Sequence, residues 1–233
     1  KVDKTVIEAT GTASATTFLR GDGAWASAAA GFIKYTVYTG GATWNKSTNS
    51  PTKVVVEVVG GGGSSGSGAT NWGFGGSGGS GGYVRKFIDV SSISTATIVV
   101  GAGGIKNAGT SAGDSSWTDS ANTLTGGLGG NAGNGGSGPS YGAGGTAGTA
   151  TGGDINIPGG NGAYGQADQA SARTTPSFFS GGPSCGFQRT ALSYGAALAG
   201  TAYGSGAASG RGNNVAIDGA DGAAGVVIVW EYK

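Results

Sequence analysis

The sequence predicts an all-β protein, a small antiparallel β-sandwich carrying a glycine-rich layer of polyproline-II-like helices and long loops. Three observations predict it. Runs of β-branched residues, KVVVEVV at 53–59 and VVIVWEY at 226–232, read as strands. Glycine recurs at a spacing of three, at Gly73, Gly76, Gly79 and Gly82, and again at Gly130, Gly133, Gly136, Gly142, Gly145 and Gly148, with Pro139 in place of a glycine. Three is the repeat of the polyproline II helix. Finally, 37% of the residues are hydrophobic and only 11% charged, with five Trp, eight Tyr and seven Phe. A disordered chain is richer in charge and poorer in aromatics.

Taken in order, residues 1–31 hold small residues around Phe18, Leu19 and Trp25, and no period in them lasts long enough to bury a face. This segment is expected to be a shaft or linker, distinct from the domain at 32–233, and to become ordered only against copies of itself or a neighbouring domain. Strands are expected at 32–39, where Ile33, Tyr35 and Val37 alternate with Lys34, Thr36 and Tyr38, and at 53–59. Further strands fall at 83–90, with Val84, Ile88 and Val90 on one face, at 96–100, and at 226–232, the last returning to pair near the first ones. Between the last two, only 114–118, 122–125 and 154–157 carry strand character. A structureless loop of that length does not suit a compact domain. The glycine tracts are therefore expected to be packed themselves: helices with glycine on every inward face approach closely enough for amides of one to bond carbonyls of the next. The tracts at 73–82 and 130–148 then form a scaffold, and the less regular 161–214 a variable tip.

Glycine and proline number 54 and 5, yet glycine is not every third residue throughout, which excludes collagen. Net charge is +1 with scattered cations, which leaves no footprint for nucleic acid or an anionic membrane surface. The longest apolar run, 226–230, is far short of a membrane span and no signal-peptide pattern opens the chain, so a soluble protein without membrane insertion is expected. The lone Cys185 implies a fold independent of disulfides or made in a reducing compartment. The first residue is not Met, so a fragment or processed product is expected.

Histidine is absent, which removes Ser-His-Asp and Cys-His catalysis and the commonest transition-metal ligand. Cys185 then reads as a small apolar residue. Asp114 with Asp119 and Asp218 with Asp221 are spaced like candidate acid/base pairs but equally like turn aspartates. No catalytic residue, cofactor or metal is assigned, and the protein is read as a non-enzyme. The G-x-G-x-x-G at Gly61, Gly63 and Gly66 lacks a following helix, and about three such matches arise by chance in a chain this glycine-rich. GGATWNKS has Asn45 where a phosphate-binding loop needs glycine.

Aromatic residues remain. Large rings set among glycines either cap the glycine layer or stand exposed to stack on the apolar faces of sugars, with arginines to meet phosphates or carboxylates. Trp117, Tyr141, Tyr164, Phe178, Phe179, Arg173, Arg189 and Arg211 are the candidate glycan contacts.

TTFLRGDGAW at 16–25 resembles the segment preceding the C-terminal tip in many tail-fibre proteins of tailed bacteriophages. The ordered blocks KVVVEVVGGGGSSG, GGYVRKFIDV, ATIVVGAGG, GGDINIPGG and GAAGVVIVWEYK are similar to the glycine-rich receptor-binding domain at the ends of such fibres, including Mu-like phages. The resemblance covers nearly the whole chain, although 161–214 matches only in composition. It places Arg20, Gly21 and Asp22 in a fibre motif rather than an integrin ligand. It implies a homotrimer in the virion, at the tail-fibre tip, made in the host cytoplasm, built with a fibre-assembly chaperone, and binding bacterial lipopolysaccharide or another surface glycan. A purely structural glycine-rich fibre protein and a polysaccharide depolymerase are the alternatives.

Overall fold

The computed structural model of the chain describes residues 17–19, 23–27, 31–46, 50–69, 73–108, 110–135, 141–165, 197–210 and 215–233. In chain order the strands are β1 (Thr17–Leu19), β2 (Trp25–Ser27), β3 (Phe32–Tyr38), β4 (Ala42–Asn45), β5 (Lys53–Val59) and β6 (Tyr83–Asp89). They continue with β7 (Thr95–Val99), β8 (Ser115–Thr118), β9 (Thr123–Gly126), β10 (Ala150–Thr151), β11 (Ile155–Ile157) and β12 (Val226–Tyr232). The described residues contain no helix, and the fold is all-β. Two five-stranded antiparallel sheets, ordered β11-β6-β5-β12-β3 and β10-β9-β8-β7-β4, pack face to face.

Alternation along each strand decides what faces the partner sheet. Val54, Val56 and Val58 of β5, Val84 and Ile88 of β6, and Val227 and Val229 of β12 point inward. They meet Trp44, Ala96, Ile98, Trp117 and Leu124 from the second sheet. The C-terminal strand does return to the first ones, lying between β3 and β5 with Trp230 opposite both Tyr35 and Val55. One charge is buried in this core. Glu231 accepts a hydrogen bond of 2.9 Å from Trp44 Nε1, and Lys34 Nζ stands 3.8 Å from its carboxylate at the sheet edge.

Two elements depart from the sequence expectation. GGATWNKS contains β4, which pairs with β7 through Ala42 opposite Ile98 and Trp44 opposite Ala96. Residues 17–19 and 25–27, in a stretch expected to show no period long enough to bury a face, pair as an antiparallel hairpin with Thr17 opposite Ser27, and Gly23 takes a φ of 80°. The hairpin is a two-stranded sheet of its own.

Glycine segments leave the sandwich at one end and build a second layer. Their amides sort by threes, as a helix of three residues per turn demands. In the segment 60–68, Gly60, Gly63 and Gly66 donate to the carbonyls of Gly82, Gly79 and Gly76. Gly62, Ser65 and Gly68 donate to Ala223, Ala220 and Ile217, while Gly61, Ser64 and Ser67 donate to Gly113 O, Asn131 Oδ1 and Asn134 Oδ1. The segment 74–82 repeats this scheme. Gly76, Gly79 and Gly82 bond Gly133, Gly130 and Gly127; Ser77 and Ser80 bond Ala163 and Gly160; Gly78 and Gly81 bond Ala207 and Gly204. Each amide row thus addresses its own side of the segment, most rows a single neighbouring segment, and buried backbone groups are satisfied without α-helix or sheet.

Glycine is required here for closeness. Among the described glycines only Gly23, Gly152 and Gly204 take positive φ. A Cβ on Gly63, Gly66, Gly76, Gly79 or Gly82 would instead overlap a carbonyl oxygen of the next segment. The sharp division of scaffold from tip expected at 161 is corrected. Gly162, Gly165, Gly204 and Ala207 belong to the layer, bonded to Gly145, Gly142, Ala224 and Gly63, because their amides continue the same three-residue rows.

Candidate functional site

Several segments of the layer are anchored at the sheets. Gly60 follows β5, Gly82 precedes β6, Gly127 follows β9, and Gly225 precedes β12. Hydrogen-bond register fixes where their other ends lie. Gly66 bonds Gly76, Gly68 bonds Ile217, Gly135 bonds Ser67, Gly142 bonds Phe74, and Gly165 bonds Gly142. Leu198 and Ala208 form a mutual antiparallel bridge that carries the 197–210 stretch toward the same level. Residues 69, 73, 135, 141, 165, 210 and 215 therefore gather at the end of the layer opposite the sandwich. The chain between these flanks, 70–72, 136–140, 166–196 and 211–214, lies outside the described residues.

Two candidate contacts sit at this end. Tyr141 forms a parallel bridge with Phe74, and their rings stack with centroids 6.1 Å apart and planes 26° from parallel. Phe74 is buried, so it serves as the floor on which the half-exposed Tyr141 ring is held. Tyr164, one residue before the lattice glycine Gly165, is 70% exposed. The amides around it are taken up in the layer: Gly162 bonds Gly145, Gly165 bonds Gly142, and Ala163 O accepts from Ser77. Backbone at both tyrosines is thus fixed while the rings face outward, an arrangement that presents an aromatic face without the cost of ordering a loop.

Trp117 is corrected. It lies fully enclosed between the two sheets, its ring tilted 50° to that of Trp44 with centroids 5.3 Å apart, and its Nε1 donates to Asp119 Oδ2 at 2.8 Å. A ring on the inward face of β8 cannot meet a ligand, and its neighbours Ser115 and Leu124 complete the same core. Arg173, Phe178, Phe179, Arg189 and Arg211 lie outside the described residues, as do Cys185, Arg20, Gly21 and Asp22.

Three of the four aspartates considered for acid/base chemistry do structural work. Asp114 Oδ1 accepts the Leu128 amide and Asp221 Oδ1 the Lys106 amide. Asp119 closes the β8–β9 turn by accepting the amides of Ala121 and Asn122. Burial opposes its ionisation, but the bonds from Trp117, Ala121 and Asn122 outweigh it and hold the carboxyl below its ordinary value. Among the described residues no group of His, Cys, Asp and Glu is arranged to hold a metal. Gly61, Gly63 and Gly66, the apparent dinucleotide fingerprint, are lattice positions whose missing Cβ makes room for Ala102, Gly130 and Gly133.

Sequence reasoning could not have found the Phe74–Tyr141 pair as a unit. The signal is the offset of 68 residues that puts Gly142, Gly145 and Gly148 in register with Phe74, Ser77 and Ser80, and it becomes visible only once the two tracts are known to be parallel.

A family model described as a glycine-rich domain matches residues 36–232. Among curated proteins nothing matches the chain.

Proposed function

The chain belongs to the glycine-rich domain family, and from that premise we propose that it is a phage tail-fibre adhesin that recognises a bacterial surface glycan, with lipopolysaccharide the favoured receptor. One observation carries the reading. The flanks of four connections meet at the end of the glycine layer farthest from the sheets, and the exposed rings of Tyr141 and Tyr164 stand among them. A rigid lattice that collects loop ends in one place is a platform for recognition, because loops vary without disturbing the packing beneath. Two of the four connections hold the remaining candidates: Arg173, Phe178, Phe179 and Arg189 in 166–196, and Arg211 in 211–214. Stacking on sugar faces and charge-assisted bonds to phosphates are the chemistry these residue types supply.

On this reading the protein acts as a homotrimer at the fibre tip in the virion, assembled in the host cytoplasm with a dedicated chaperone, and linked weak sites gain from one another's effective concentration. A purely structural fibre protein would have its aromatics enclosed in the layer, and the outward Tyr141 and Tyr164 favour an adhesin over it. A depolymerase would release reducing sugar ends from host polysaccharide.

The test presents the purified protein to cells of host strains with progressively truncated lipopolysaccharide. Binding is expected to disappear at a defined truncation, and to disappear on the untruncated host when Tyr164, Arg173, Arg189 and Arg211 are all changed to alanine. Unchanged binding by that variant would overturn the assignment of the site, and binding indifferent to every truncation would overturn the receptor class.

A further inference from the structure

The outward face of the β11-β6-β5-β12-β3 sheet has no covering layer among the described residues over the half farther from the glycine segments. Register puts Tyr35, Trp230, Val55 and Phe87 side by side across four strands, and Ile155 on β11 beside Arg85. Phe32, Tyr35, Trp230 and Tyr232 form one connected ring cluster, with centroids 5.1–6.1 Å apart. Tyr35 is 57% and Phe87 52% exposed, and Phe32 and Ile155 are exposed with them. Counting half of each large side chain's surface, the apolar area is on the order of 500 Å², as large as the largest patch on an ordinary monomer.

The carboxylate of this face is already answered. Glu57, in its middle, accepts from Tyr83 OH at 2.8 Å through Oε1 and from Trp230 Nε1 at 2.9 Å through Oε2. A carboxylate held by two donors of its own sheet brings a smaller demand for water into an interface, so covering the face costs less than it would for an unpaired charge. Lys53 Nζ stands 5.7 Å from the Phe87 ring centre, and Arg85 lies on the face between Glu57 and Ile155.

We infer that this face is the contact between copies of the chain, each copy covering its partner's Phe32–Tyr35–Trp230–Tyr232 cluster. The occupant follows from what the chain leaves unfinished beside it. β3 is an edge strand seven residues long, and an apolar edge of that length is a pairing hazard unless something covers it. The β1–β2 hairpin, a separate two-stranded sheet, enters β3 through residues 28–31 and so is tethered at Phe32, inside the cluster. A two-stranded hairpin is marginal in water by itself. Two incomplete surfaces joined at one point are what a self-complementary closed assembly supplies to each subunit, since every copy brings both. With three such faces meeting in a trimer the buried area reaches about 1,500 Å² in total, the size of an ordinary specific interface. This inference takes from the proposed function only that three copies assemble, and its readout involves no glycan.

The test measures the mass of the full chain in solution by light scattering over a range of concentrations, for the wild type, for the double variant Tyr35→Glu and Phe87→Glu, and for Tyr164→Glu as a control. The wild type and the control are expected at the same multiple of the protomer mass and the double variant at one protomer, with a wild-type far-ultraviolet spectrum showing that it folds. A second measurement guards against misfolding: a photo-crosslinking side chain placed at Phe87 is expected to join copies through this sheet. A monomeric wild type, a double variant that keeps the wild-type mass, or crosslinks confined to the glycine layer would each overturn the inference.

Discussion

Changing Gly79 to alanine tests whether the glycine layer is held by contact or merely tolerates flexible residues. Gly79 lies in the middle of the 74–82 segment, where its amide donates to Gly130 O at 3.0 Å and its carbonyl accepts from Gly63 N at 2.9 Å. An added Cβ would overlap the carbonyl oxygen of Thr146 and stand 2.7 Å from its carbon, closer than the 3.0 Å that real Cβ atoms keep, and all of these neighbours are backbone. The 142–148 segment must therefore shift, which disturbs its bonds from Gly145 to Ser77 and from Gly130 to Thr146. Overpacking costs roughly 1–3 kcal/mol and each buried group left unpaired about 1–3 more. Gly79→Ala should thus lose about 3–6 kcal/mol, a large part of the stability of an ordinary domain. Gly40→Ala is the matched control: nothing lies within 4 Å of its added Cβ, and its φ is not positive, so it should be neutral or stabilising by under ~1 kcal/mol. Urea unfolding followed by tryptophan fluorescence gives both midpoints, compared at unchanged slope. If Gly79→Ala fell within about 1 kcal/mol of Gly40→Ala, the account of the layer as a close-packed lattice would be wrong.

Trp117→Ala should cost about 3–5 kcal/mol by emptying the core between the sheets, measured by the same unfolding curves, and a folded, fully stable variant would contradict its placement. Trp44→Phe removes the Nε1 donor to the buried Glu231 and should cost about 1–3 kcal/mol, whereas a cost below ~0.5 kcal/mol would mean that the bond contributes nothing. Asp119→Ala should cost about 1 kcal/mol at neutral pH. Because the folded-state value of Asp119 is depressed, its contribution is complete above the ordinary 3.8 and is lost as pH falls through the lower folded value, so the gap between wild type and variant should close on acidification; a gap that widened toward low pH would refute the sign. Tyr164→Ala, at a 70% exposed ring, should change stability by less than about 0.5 kcal/mol yet weaken binding to host lipopolysaccharide by roughly tenfold, and unaltered binding would remove Tyr164 from the site.

The sandwich strands were legible because their signals are local. The β-branched runs 53–59 and 226–232 coincide with β5 and β12 to the residue, and even the short stretches near Trp117, Leu124 and Ile155 are strands. β4 escaped because four residues, Ala42–Asn45, give no period to read, and its identity as a strand comes from Trp44 finding the core. β1 and β2 escaped because three residues each are too few to show a period. The three-residue glycine period announced a packed layer, and the Asn131 and Asn134 side chains continue that period by standing in for carbonyls toward Ser64 and Ser67. Which segment lies beside which was not readable, since it depends on registers between tracts far apart in the chain, such as Gly62 with Ala223. For the same reason composition grouped Trp117 with the tip aromatics. An aromatic beside a glycine tract in sequence can sit at either end of that tract in space.

Hydrogen exchange on the intact protein, with and without lipopolysaccharide from the host, tests most directly the claim that the far end of the glycine layer recognises the receptor. The amides of the three-residue rows, Gly63, Gly79 and Gly130 among them, should exchange slowly in both states, because each is bonded within the layer. Lipopolysaccharide should add protection at residues 73–74, 141–142 and 164–165 and leave β3, β5 and β12 unchanged. Added protection confined to those strands, or none anywhere at saturating lipopolysaccharide, would contradict the account.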